Sequence, residues 1–495
     1  MAGGHPFRNG VLLALVTPAL VVAAFRFGIW PLVWVAFVPM VVAQHRVLPA
    51  RWSGLGPAIG IGGMFGFHLS PGLVDGGLPV LAVVWPVLMG LLIAPIVWRS
   101  RRFQEATAYR WFLVSAPMGW VALDFLRTRG NEVFAATFGY PAYAMWDHPA
   151  LLQPVSVFGI NGLELLIFLV NWALAAAVIA SIDRRADGRS GAVAGRPAVT
   201  VRRARLGLTV AAVAVGAWVA GSVALLADPT PEVTVAAIQT GVDRDADGSP
   251  LRYQRDLEQT RLAAAQGAEL VVWNEKGLGF DPRKEHTAEL KALAAETGAH
   301  LVIGFGFDDA KGRHHNEVTL LTPAGRFLGV YGKDHPGTFA GDFSDTRGSY
   351  PVYETSLGPI STIICYDLDF TDTARRMARG GARLVATPSA DVPSIGEVHF
   401  THMVFRAIEN RVSMVKADNE FDSVILDPYG RVLRKVSTST GGVQATLVAA
   451  VPLGEGHSPW VSFGDWLGWA CSAGTVVVLV LARRSRRGGG PTSGG

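Results

Sequence analysis

Residues 361–367 read Ser-Thr-Ile-Ile-Cys-Tyr-Asp, a β-branched run that leads into a thiol and then into polar residues suited to opening a helix. The thiol, Cys365, is one of only two cysteines in the chain. The other, Cys471, lies inside the last apolar stretch, so we expect no disulfide between them and a free thiol at Cys365. A free cysteine in an apolar strand is usually a small buried hydrophobe, and the sequence alone does not reveal its reactivity.

Two more ionisable residues follow apolar, β-type runs upstream of this thiol. Glu275 follows Val-Val-Trp-Asn, and Lys333 follows Val-Tyr-Gly. Strand ends are where open sheets place their chemistry. A thiol needs a base to become a thiolate, and the acyl intermediate that it forms needs a cation or amide hydrogens at its oxyanion. Glu275 can be the base and Lys333 the cation, so the sequence predicts a Glu, Lys, Cys constellation for acyl transfer.

At these residues the chain resembles the nitrilase superfamily of carbon-nitrogen hydrolases, whose signature is a Glu, Lys, Cys triad in that order. The resemblance covers roughly residues 232–452. It is strongest at 361–367, and it is supported by Arg-Ala-Ile-Glu-Asn at 406–410 and by Asp-Pro-Tyr-Gly-Arg at 427–431. The resemblance implies an α/β domain of the nitrilase-like αββα sandwich type.

The resemblance also implies a role for each catalytic candidate. Glu275 would be the general base, Lys333 the stabiliser of the tetrahedral oxyanion and Cys365 the nucleophile. The backbone amide of Tyr366 would complete the oxyanion hole. No metal or other cofactor is implied.

Composition indicates a membrane protein that is larger than this domain. Half of the residues are apolar and 17% are charged, and the mean hydropathy is +0.30, well beyond an ordinary soluble domain. Apolar stretches that are long enough to span a bilayer, or nearly so, run over 11–25, 28–43, 55–69, 78–98, 111–126, 160–182, 206–226 and 466–482. Several are shorter than the roughly 20 residues of a straight span. We therefore predict an α-helical membrane bundle of about eight spans.

Basic residues predict the orientation of this bundle. Arginines cluster between spans two and three, four and five, and six and seven, and they follow span eight. With eight spans all four clusters lie on one side, which the positive-inside rule makes cytoplasmic. Both termini are then cytoplasmic, and the catalytic domain is extracytoplasmic. The isoelectric point near 9.1 is explained by these clusters, and no nucleic-acid partner is needed.

The predicted domain organisation has three parts. Residues 1–227 form the N-terminal membrane domain with seven spans, residues 228–455 the catalytic domain, and residues 456–495 the last span and a basic cytoplasmic tail. Within the middle part, strand and helix patterns alternate as in a layered α/β fold. The expected strands are 233–239, 270–273, 301–305, 318–322, 327–331 and 384–387, and the expected helices are 251–266, 287–297, 372–380 and 397–411.

A nitrilase-like domain placed after seven spans and before an eighth resembles the apolipoprotein N-acyltransferase family. Motifs of the membrane part support this resemblance: Phe-Leu-Arg at 125–127, Phe-Gly-Tyr-Pro at 138–141, Leu-Leu-Gln-Pro at 151–154 and Phe-Gly-Ile-Asn-Gly at 158–162. The resemblance implies a multi-pass protein of the bacterial cell membrane. It would move a fatty acyl chain from a membrane phospholipid, through a Cys365 thioester, to the N-terminal amine of diacylglyceryl-cysteine in lipoproteins.

The chain departs from this family in its loops. Asn274 stands where the family has a proline before the base, and Asp367 stands where it has a glutamate after Cys-Tyr. Asp342 is the candidate to replace a second glutamate after the lysine. Two loops, 336–349 and 389–396, are expected to cover the thioester, with Phe339 and Phe343 among the contacts to acyl chains. The reaction class is therefore predicted more firmly than the substrate.

Two other functions are compatible with the sequence. A membrane-tethered amidase or nitrilase-type hydrolase would form the same thioester and release it to water, and Cys365-Tyr366-Asp367 is closer to soluble members than to the acyltransferases. An inactive paralogue that binds lipoproteins would be expected to lack a triad residue, and none is lost here. His314 and His315 are not a predicted metal site, because adjacent residues of a strand point to opposite faces.

Overall fold

The structure is a computed structural model of the 495-residue chain. It describes residues 5–129, 137–187, 199–243, 249–336, 341–396, 398–436, 438 and 441–487. The helices that precede the first strand are α1 (Pro6–Arg26), α2 (Val38–Val42), α3 (Leu55–Asp75), α4 (Pro79–Ala106), α5 (Phe112–Arg127), α6 (Val155–Phe158), α7 (Ile160–Asp187) and α8 (Val201–Leu225).

Four helices of the described residues are long and apolar enough to cross a membrane: Pro6–Arg26, Pro79–Ala106, Ile160–Arg185 and Val201–Leu225. The predicted count of about eight is not reached by this criterion. α5 has only 16 residues, and α3 is rich in glycine and contains His68 in its second half. These two helices are therefore less apolar or shorter than the pattern of the sequence suggested.

The predicted membrane span over 28–43 is not one continuous helix. Gly28 adopts a positive φ of 65° and ends the path of α1. A 3-10 helix then runs over Trp30–Trp34, and α2 covers only five residues before a π-helical turn. Each short helix has a proline in its first turn, where the missing N–H is tolerated, so proline divides the segment instead of extending one helix.

Side chains from neighbouring helices satisfy the backbone of this broken segment. The N–H of Phe37 donates to Asn171 Oδ1 at 2.9 Å, and Asn171 Nδ2 donates to the carbonyl of Val33 at 2.9 Å. The N–H of Met40 donates to Thr17 Oγ1 at 3.1 Å. Irregular backbone inside a membrane bundle requires such internal partners. Asn171 and Thr17 therefore explain how the segment is accommodated without a continuous helix.

α7 connects the two ends of the helical bundle. At its first residue, the N–H of Ile160 donates to the carboxylate of Glu409 in the β-domain at 2.9 Å. Near its last turn, Asp183 is paired with Arg46 at 2.7 Å. A helix of 28 residues spans about 42 Å. The arginine-rich end of the bundle is therefore far from the β-domain.

The other long helices run alternately towards the β-domain and away from it. α3 ends at the β-domain, where Asp75 accepts from the N–H of Ser394 at 2.8 Å. α8 also ends there, where Arg411 donates to the carbonyl of Leu225 at 3.2 Å. α4 runs back to the arginine-rich end. The connections from α3 to α4 and from α4 to α5 are short, so these helices pack as antiparallel neighbours.

The β-domain contains two sheets. One has the strand order β13-β1-β2-β3-β4-β5, with β6 paired to β4, and the other has the order β12-β11-β10-β9-β8-β7. The strands are β1 (Val233–Gln239), β2 (Leu270–Val272), β3 (His300–Asp308), β4 (His314–Leu321), β5 (Phe327–Gly332), β6 (Asp342–Phe343), β7 (Val352–Thr355), β8 (Gly358–Thr362), β9 (Leu384–Ser389), β10 (Ser413–Asp418), β11 (Val424–Leu426), β12 (Val432–Lys435) and β13 (Ala445–Val451).

Helices cover the outer face of each sheet. They are α9 (Pro250–Ala265), α10 (Thr287–Thr297), α11 (Thr371–Arg379) and α12 (Phe400–Asn410), and the chain continues into α13 (Pro459–Phe463) and α14 (Trp466–Arg487). α9 contacts β1 and β13, α12 contacts β10 and β11, and β1 of one sheet faces β10 of the other. The layers are those of an αββα sandwich. The strands and helices expected in this region are confirmed, with ends that shift by a few residues.

Candidate active site

Parallel strands bring the predicted residues to one edge of the sandwich. β1, β2 and β3 are parallel in one sheet, and β8, β9 and β10 are parallel in the other. Glu275 follows β2, and Cys365 follows β8. The carboxyl ends of parallel strands meet at the same edge, where open sheets bind their ligands. The fold therefore explains why residues 90 positions apart in the sequence lie at one edge of the sandwich.

Glu275 and Lys333 form a buried ion pair. Their side chains are only 4% and 8% exposed, and Lys333 Nζ lies 2.7 Å from Glu275 Oε1. Asn316 Nδ2 donates to the same oxygen at 2.6 Å. Burial opposes both charges, but the attraction between them outweighs it. The pKa of Glu275 is therefore held below its usual value, and the pKa of Lys333 is raised well above its usual value.

Asp342 lies on the other side of the lysine. Its Oδ2 atom is 3.4 Å from Lys333 Nζ, and its Oδ1 atom is 4.0 Å from Lys276 Nζ. The side chain of Asp342 is 2% exposed. The structure thus places this candidate next to Lys333, so that the ammonium is held between two carboxylates and cannot swing freely into the cleft.

Cys365 occupies a strained turn at the end of a strand. It begins a single 3-10 turn, Cys365–Asp369, and its φ is +42°. A side chain other than glycine rarely adopts this left-handed conformation, and such strain concentrates at functional sites. Cys365 and Cys471 are both free, so the predicted absence of a disulfide is confirmed.

The environment of Cys365 disfavours the thiolate form of its side chain. Burial raises the pKa of the Cys365 thiol well above its usual value, the carboxylates of Glu275 and Asp391 raise it further, and the ammonium of Lys333 lowers it. The charges that act on the thiol therefore include both of the other predicted catalytic residues. The charges of Glu275 and Lys333 therefore influence the ionisation of Cys365.

Asp391 is a contact of the thiol that the sequence did not single out. Cys365 Sγ lies 3.7 Å from Asp391 Oδ1. That oxygen also accepts from His399 Nδ1 at 2.7 Å and from Ser389 Oγ at 2.9 Å, while Oδ2 accepts from Lys416 Nζ at 2.8 Å. Its only sequence signal is the one that Glu275 and Lys333 share, a charged residue just after a buried strand.

The partners of Asp391 fix its ionisation. Burial raises the pKa of Asp391, but His399 and Lys416 lower it well below the usual range. Although burial lowers the pKa of His399, the carboxylates of Asp391 and Asp369 raise it to about 10. Asp391 is therefore an ionised carboxylate of very low basicity. It can orient the thiol hydrogen, but it is too weak a base to remove that hydrogen.

Asp367 ties together the two loops that carry the lysine and the cysteine. It is fully buried. Its carboxylate accepts from the N–H of Ile364 at 2.9 Å, from the N–H of His335 at 2.8 Å and from the Tyr331 hydroxyl at 2.6 Å. Asp367 thus holds the shape of the turn that carries Cys365, and both of its carboxylate oxygens already accept hydrogen bonds from the protein.

The membrane part supplies one wall of the site. The ring of Phe138 stacks on Tyr366 at 6.3 Å between centroids, and Tyr143 stacks on His402 at 4.0 Å. The N–H of Thr137 donates to the carbonyl of Asp369 at 2.9 Å. These residues follow α5, so the loop between membrane helices lies directly on the nucleophile turn. The proposed role of the Tyr366 amide stays a prediction.

The substrate-loop candidates have different outcomes. Phe339 lies outside the described residues. Phe343, in the short strand β6, meets the ring of His315 edge-on at 5.2 Å and lies under the Arg313 guanidinium at 4.0 Å. Its predicted contact with acyl chains stays a prediction. The second loop is anchored to the bundle through Ser394, so part of it rests on α3.

Two groups among the described residues have the side-chain types of metal ligands: Cys365, Asp391 and His399, and Asp334, His335 and Asp372. In the first, Lys416 and a protonated His399 already neutralise Asp391. In the second, His335 Nε2 lies 3.5 Å from each of the two carboxylates, and these carboxylates help to raise its pKa although burial lowers it. Ion pairs therefore account for both groups.

Comparison with known proteins shows what the chain is similar to. The family model described as carbon-nitrogen hydrolase matches residues 220–457, and the model described as the apolipoprotein N-acyltransferase N-terminal domain matches residues 17–173. The chain is similar to apolipoprotein N-acyltransferases over most of its length. The two matched segments correspond to the β-domain and to the helices that precede it.

Full-length relatives carry the same name. The apolipoprotein N-acyltransferase of Geobacter metallireducens is 28% identical over 526 residues, covering 97% of this chain and 94% of that protein. The one of Pseudomonas putida is 24% identical and covers 96% of this chain and 99% of that protein. An amidase from Nesterenkonia sp. AN1 is 22% identical, with a TM-score of 0.38, over 45% of this chain and 95% of that chain.

The contact between Asp391 and the thiol predicts a pH effect. A neighbouring anion disfavours the thiolate and so raises the thiol pKa, and its removal must lower that pKa. We expect Asp391→Asn to move the pH profile of Cys365 alkylation to lower pH, with a gain in rate at neutral pH on the order of tenfold. Iodoacetamide labelling in a Cys471→Ala background measures this rate at one thiol only. An unchanged profile would mean that Asp391 does not act on the thiol.

Proposed function

We propose that this protein transfers a fatty acyl chain from a membrane phospholipid to the N-terminal amine of diacylglyceryl-cysteine in apolipoproteins. The observation that carries this proposal is the buried Glu275–Lys333 pair beside the strained Cys365 thiol, in a site whose wall comes from the membrane helices. Similarity to full-length relatives named apolipoprotein N-acyltransferase supports this choice of substrates. The acyl chain would travel as a thioester on Cys365.

In the first half-reaction the thiol attacks the ester carbonyl of the phospholipid. Glu275 takes the thiol proton as the carbon–sulfur bond forms, and the carbonyl oxygen becomes an oxyanion held by Lys333 and by the amide of Tyr366. The oxyanion then collapses, the ester carbon–oxygen bond breaks, and the lysophospholipid leaves with the proton from Glu275. The products are a thioester and a neutral alcohol.

The ion pair couples these two events. In the resting site Glu275 is ionised and holds Lys333, while the thiol keeps its proton. When Glu275 becomes protonated, its attraction for Lys333 falls at the moment when the oxyanion forms. The ammonium of Lys333 then stabilises the oxyanion instead of the Glu275 carboxylate. Proton transfer and oxyanion stabilisation therefore support each other, although the thiol pKa is high.

In the second half-reaction the amine of diacylglyceryl-cysteine attacks the thioester. Glu275 removes one proton from the amine nitrogen, and Lys333 again holds the oxyanion. The carbon–sulfur bond then breaks, and the thiolate of Cys365 takes the proton from Glu275. The amide product leaves, and the enzyme returns to its starting protonation state.

The direction of the helices supports the rest of the proposed organisation. The proposed bundle counts eight passes, formed by α1, the broken segment 28–47, α3, α4, α5, α7, α8 and α14. Residues 1–227 would contribute seven of them, residues 228–455 the catalytic domain, and residues 456–495 the last. Because the arginine-rich ends lie far from the β-domain, the positive-inside rule makes both termini cytoplasmic and the catalytic domain extracytoplasmic in the bacterial cell membrane.

The lifetime of the thioester separates an acyltransferase from a hydrolase. An acyltransferase must protect its thioester from water until the amine arrives. We expect the acyl-enzyme, formed with phospholipid and freed of excess donor, to persist for many minutes. A diacylglyceryl-cysteine peptide should discharge it to an N-acyl product, which mass spectrometry detects.

The matched control is the same peptide with an acetylated N-terminus, which has no amine to react. It should leave the thioester intact. Rapid loss of the acyl group to free fatty acid, at the same rate with either peptide, would instead identify a membrane-tethered hydrolase that shares the same nucleophile.

A further inference from the structure

A cleft of about 870 Å³ opens within the helical bundle and contains none of the residues of the catalytic site. Its walls are the second half of α4, most of α5 and the second half of α14. Volumes of this size are typical of small-molecule sites. The cleft is therefore large enough to hold a ligand, and it is separate from the thiol chemistry.

One wall of the cleft is made from small and apolar residues. Ser115, Gly119 and Leu123 recur at every fourth position of α5 and lie on one face of that helix. A Cβ atom added to Gly119 would meet no other atom within 4 Å. On α14, Thr475 and Leu479 face the same space. The interior thus offers a narrow apolar channel with free volume at its centre.

Three arginines line the cleft at the arginine-rich end of the bundle. They are Arg99 and Arg102 from α4 and Arg483 from α14. Within the part of the chain that the structure describes, no carboxylate forms an ion pair with any of the three. The neighbouring Arg101 differs, because it turns inward and pairs with Glu105 at 2.7 Å. The mouth of the cleft is therefore positively charged, with Arg102 over the ring of Trp98 and no described carboxylate paired with any of the three.

A buried polar group adds to this arrangement. Gln104 lines the cleft and is 1% exposed. Its Nε2 donates to Ser115 Oγ at 2.9 Å, but its Oε1 has no hydrogen-bond donor among the described residues. A buried acceptor without a partner is costly, and a ligand hydroxyl or ammonium would satisfy it.

We propose that this cleft binds an anionic phospholipid from the leaflet at the arginine-rich end. The phosphate would lie among Arg99, Arg102 and Arg483, since guanidinium groups bind phosphate oxygens in pairs. A headgroup hydroxyl reaches Gln104 Oε1, and one acyl chain follows the small-residue face of α5. This lipid is not the acyl donor, because its headgroup lies at the end of the bundle opposite to Cys365. The proposal stands whether or not the proposed acyl transfer is correct.

Cross-linking with a photoactivatable phosphatidylglycerol tests the site. The purified protein carries Cys365→Ala, so that the probe is not consumed as a donor, and peptide mapping locates the label. We expect labelling on α4, α5 and α14 that unlabelled phosphatidylglycerol competes away. Each arginine near an anionic headgroup contributes about a fivefold gain in affinity, so replacing all three with glutamine should weaken binding roughly a hundredfold. Arg205→Gln, an exposed arginine of α8 outside the cleft, is the matched control and should bind normally.

A second pair of variants tests the apolar channel. Gly119→Trp fills the free volume and should exclude the lipid. Gly216→Trp on α8 is the control: its ring also enters open space, but it lies outside the cleft and should not change lipid binding. Competition by phosphatidylcholine or inorganic phosphate as strong as that by phosphatidylglycerol would overturn the proposal, as would wild-type affinity in the triple glutamine variant. The thermal unfolding temperature and the gel-filtration profile of the same variants, compared with those of the wild type, show that they fold.

Discussion

Cys365→Ala is expected to abolish acyl-enzyme formation completely. The wild-type protein, incubated with phospholipid in detergent, should gain one acyl chain on Cys365 that hydroxylamine removes. Cys365→Ser should be nearly inactive as well, because Glu275 has a lowered pKa and a hydroxyl is much harder to deprotonate than a thiol. Intact-protein mass spectrometry measures the gain in mass, and peptide mapping locates it.

Cys471→Ala is the matched control for this experiment. Cys471 is a free and buried thiol on α14, and it lies outside the sandwich. Its replacement should leave acylation unchanged. An acyl mass that persists in Cys365→Ala would show that another group carries the chain, and the assignment of the nucleophile would then be wrong.

Much of the β-domain could be predicted from sequence because its strands are short apolar runs bounded by turns. The run before Glu275 and the run before Cys365 both become strand ends of the expected kind. Parallel strands then force their carboxyl ends together, which is why the order of Glu275, Lys333 and Cys365 was informative before any distance was known.

Other features of the site depend on packing and leave little trace in the sequence. The positive φ of Cys365 follows from how its turn is held by Asp367, and no local residue preference indicates it. Asp391 and His399 both lie in the segment between β9 and α12, eight residues apart, and their contact depends on how this segment folds. Asn316 could not be distinguished from any other polar residue of a strand.

The membrane part was harder to predict for a different reason. Hydropathy measures whether a segment tolerates lipid, and it does not show whether the segment is one helix. The segment 28–43 is apolar throughout, but its backbone is satisfied by Asn171 and Thr17 from other helices. From sequence alone, a polar side chain that hydrogen-bonds to the backbone of a neighbouring helix cannot be distinguished from one that lines a channel.

Lys333→Met and Glu275→Gln are each expected to lower the rate of thioester formation by a hundredfold or more. Lys333→Met removes the cation at the oxyanion. It also leaves Glu275 buried without its main partner, so the pKa of Glu275 rises and less of the base is ionised at neutral pH. Glu275→Gln keeps the shape of the side chain but cannot accept the thiol proton. Single-turnover acylation, followed by mass spectrometry, measures both rates, and Lys284→Met, an exposed lysine of the same domain, should match wild type.

A double variant separates catalysis from stability. Lys333→Met leaves two buried carboxylates, Glu275 and Asp342, without the cation between them, and losing one member of a buried pair costs about 3–5 kcal/mol of unfolding free energy. Adding Glu275→Gln removes one of these two charges, so the double variant should be more stable than Lys333→Met alone and still inactive. If acylation instead recovers together with the thermal unfolding temperature, the pair serves only to hold the fold, and another group must be the base.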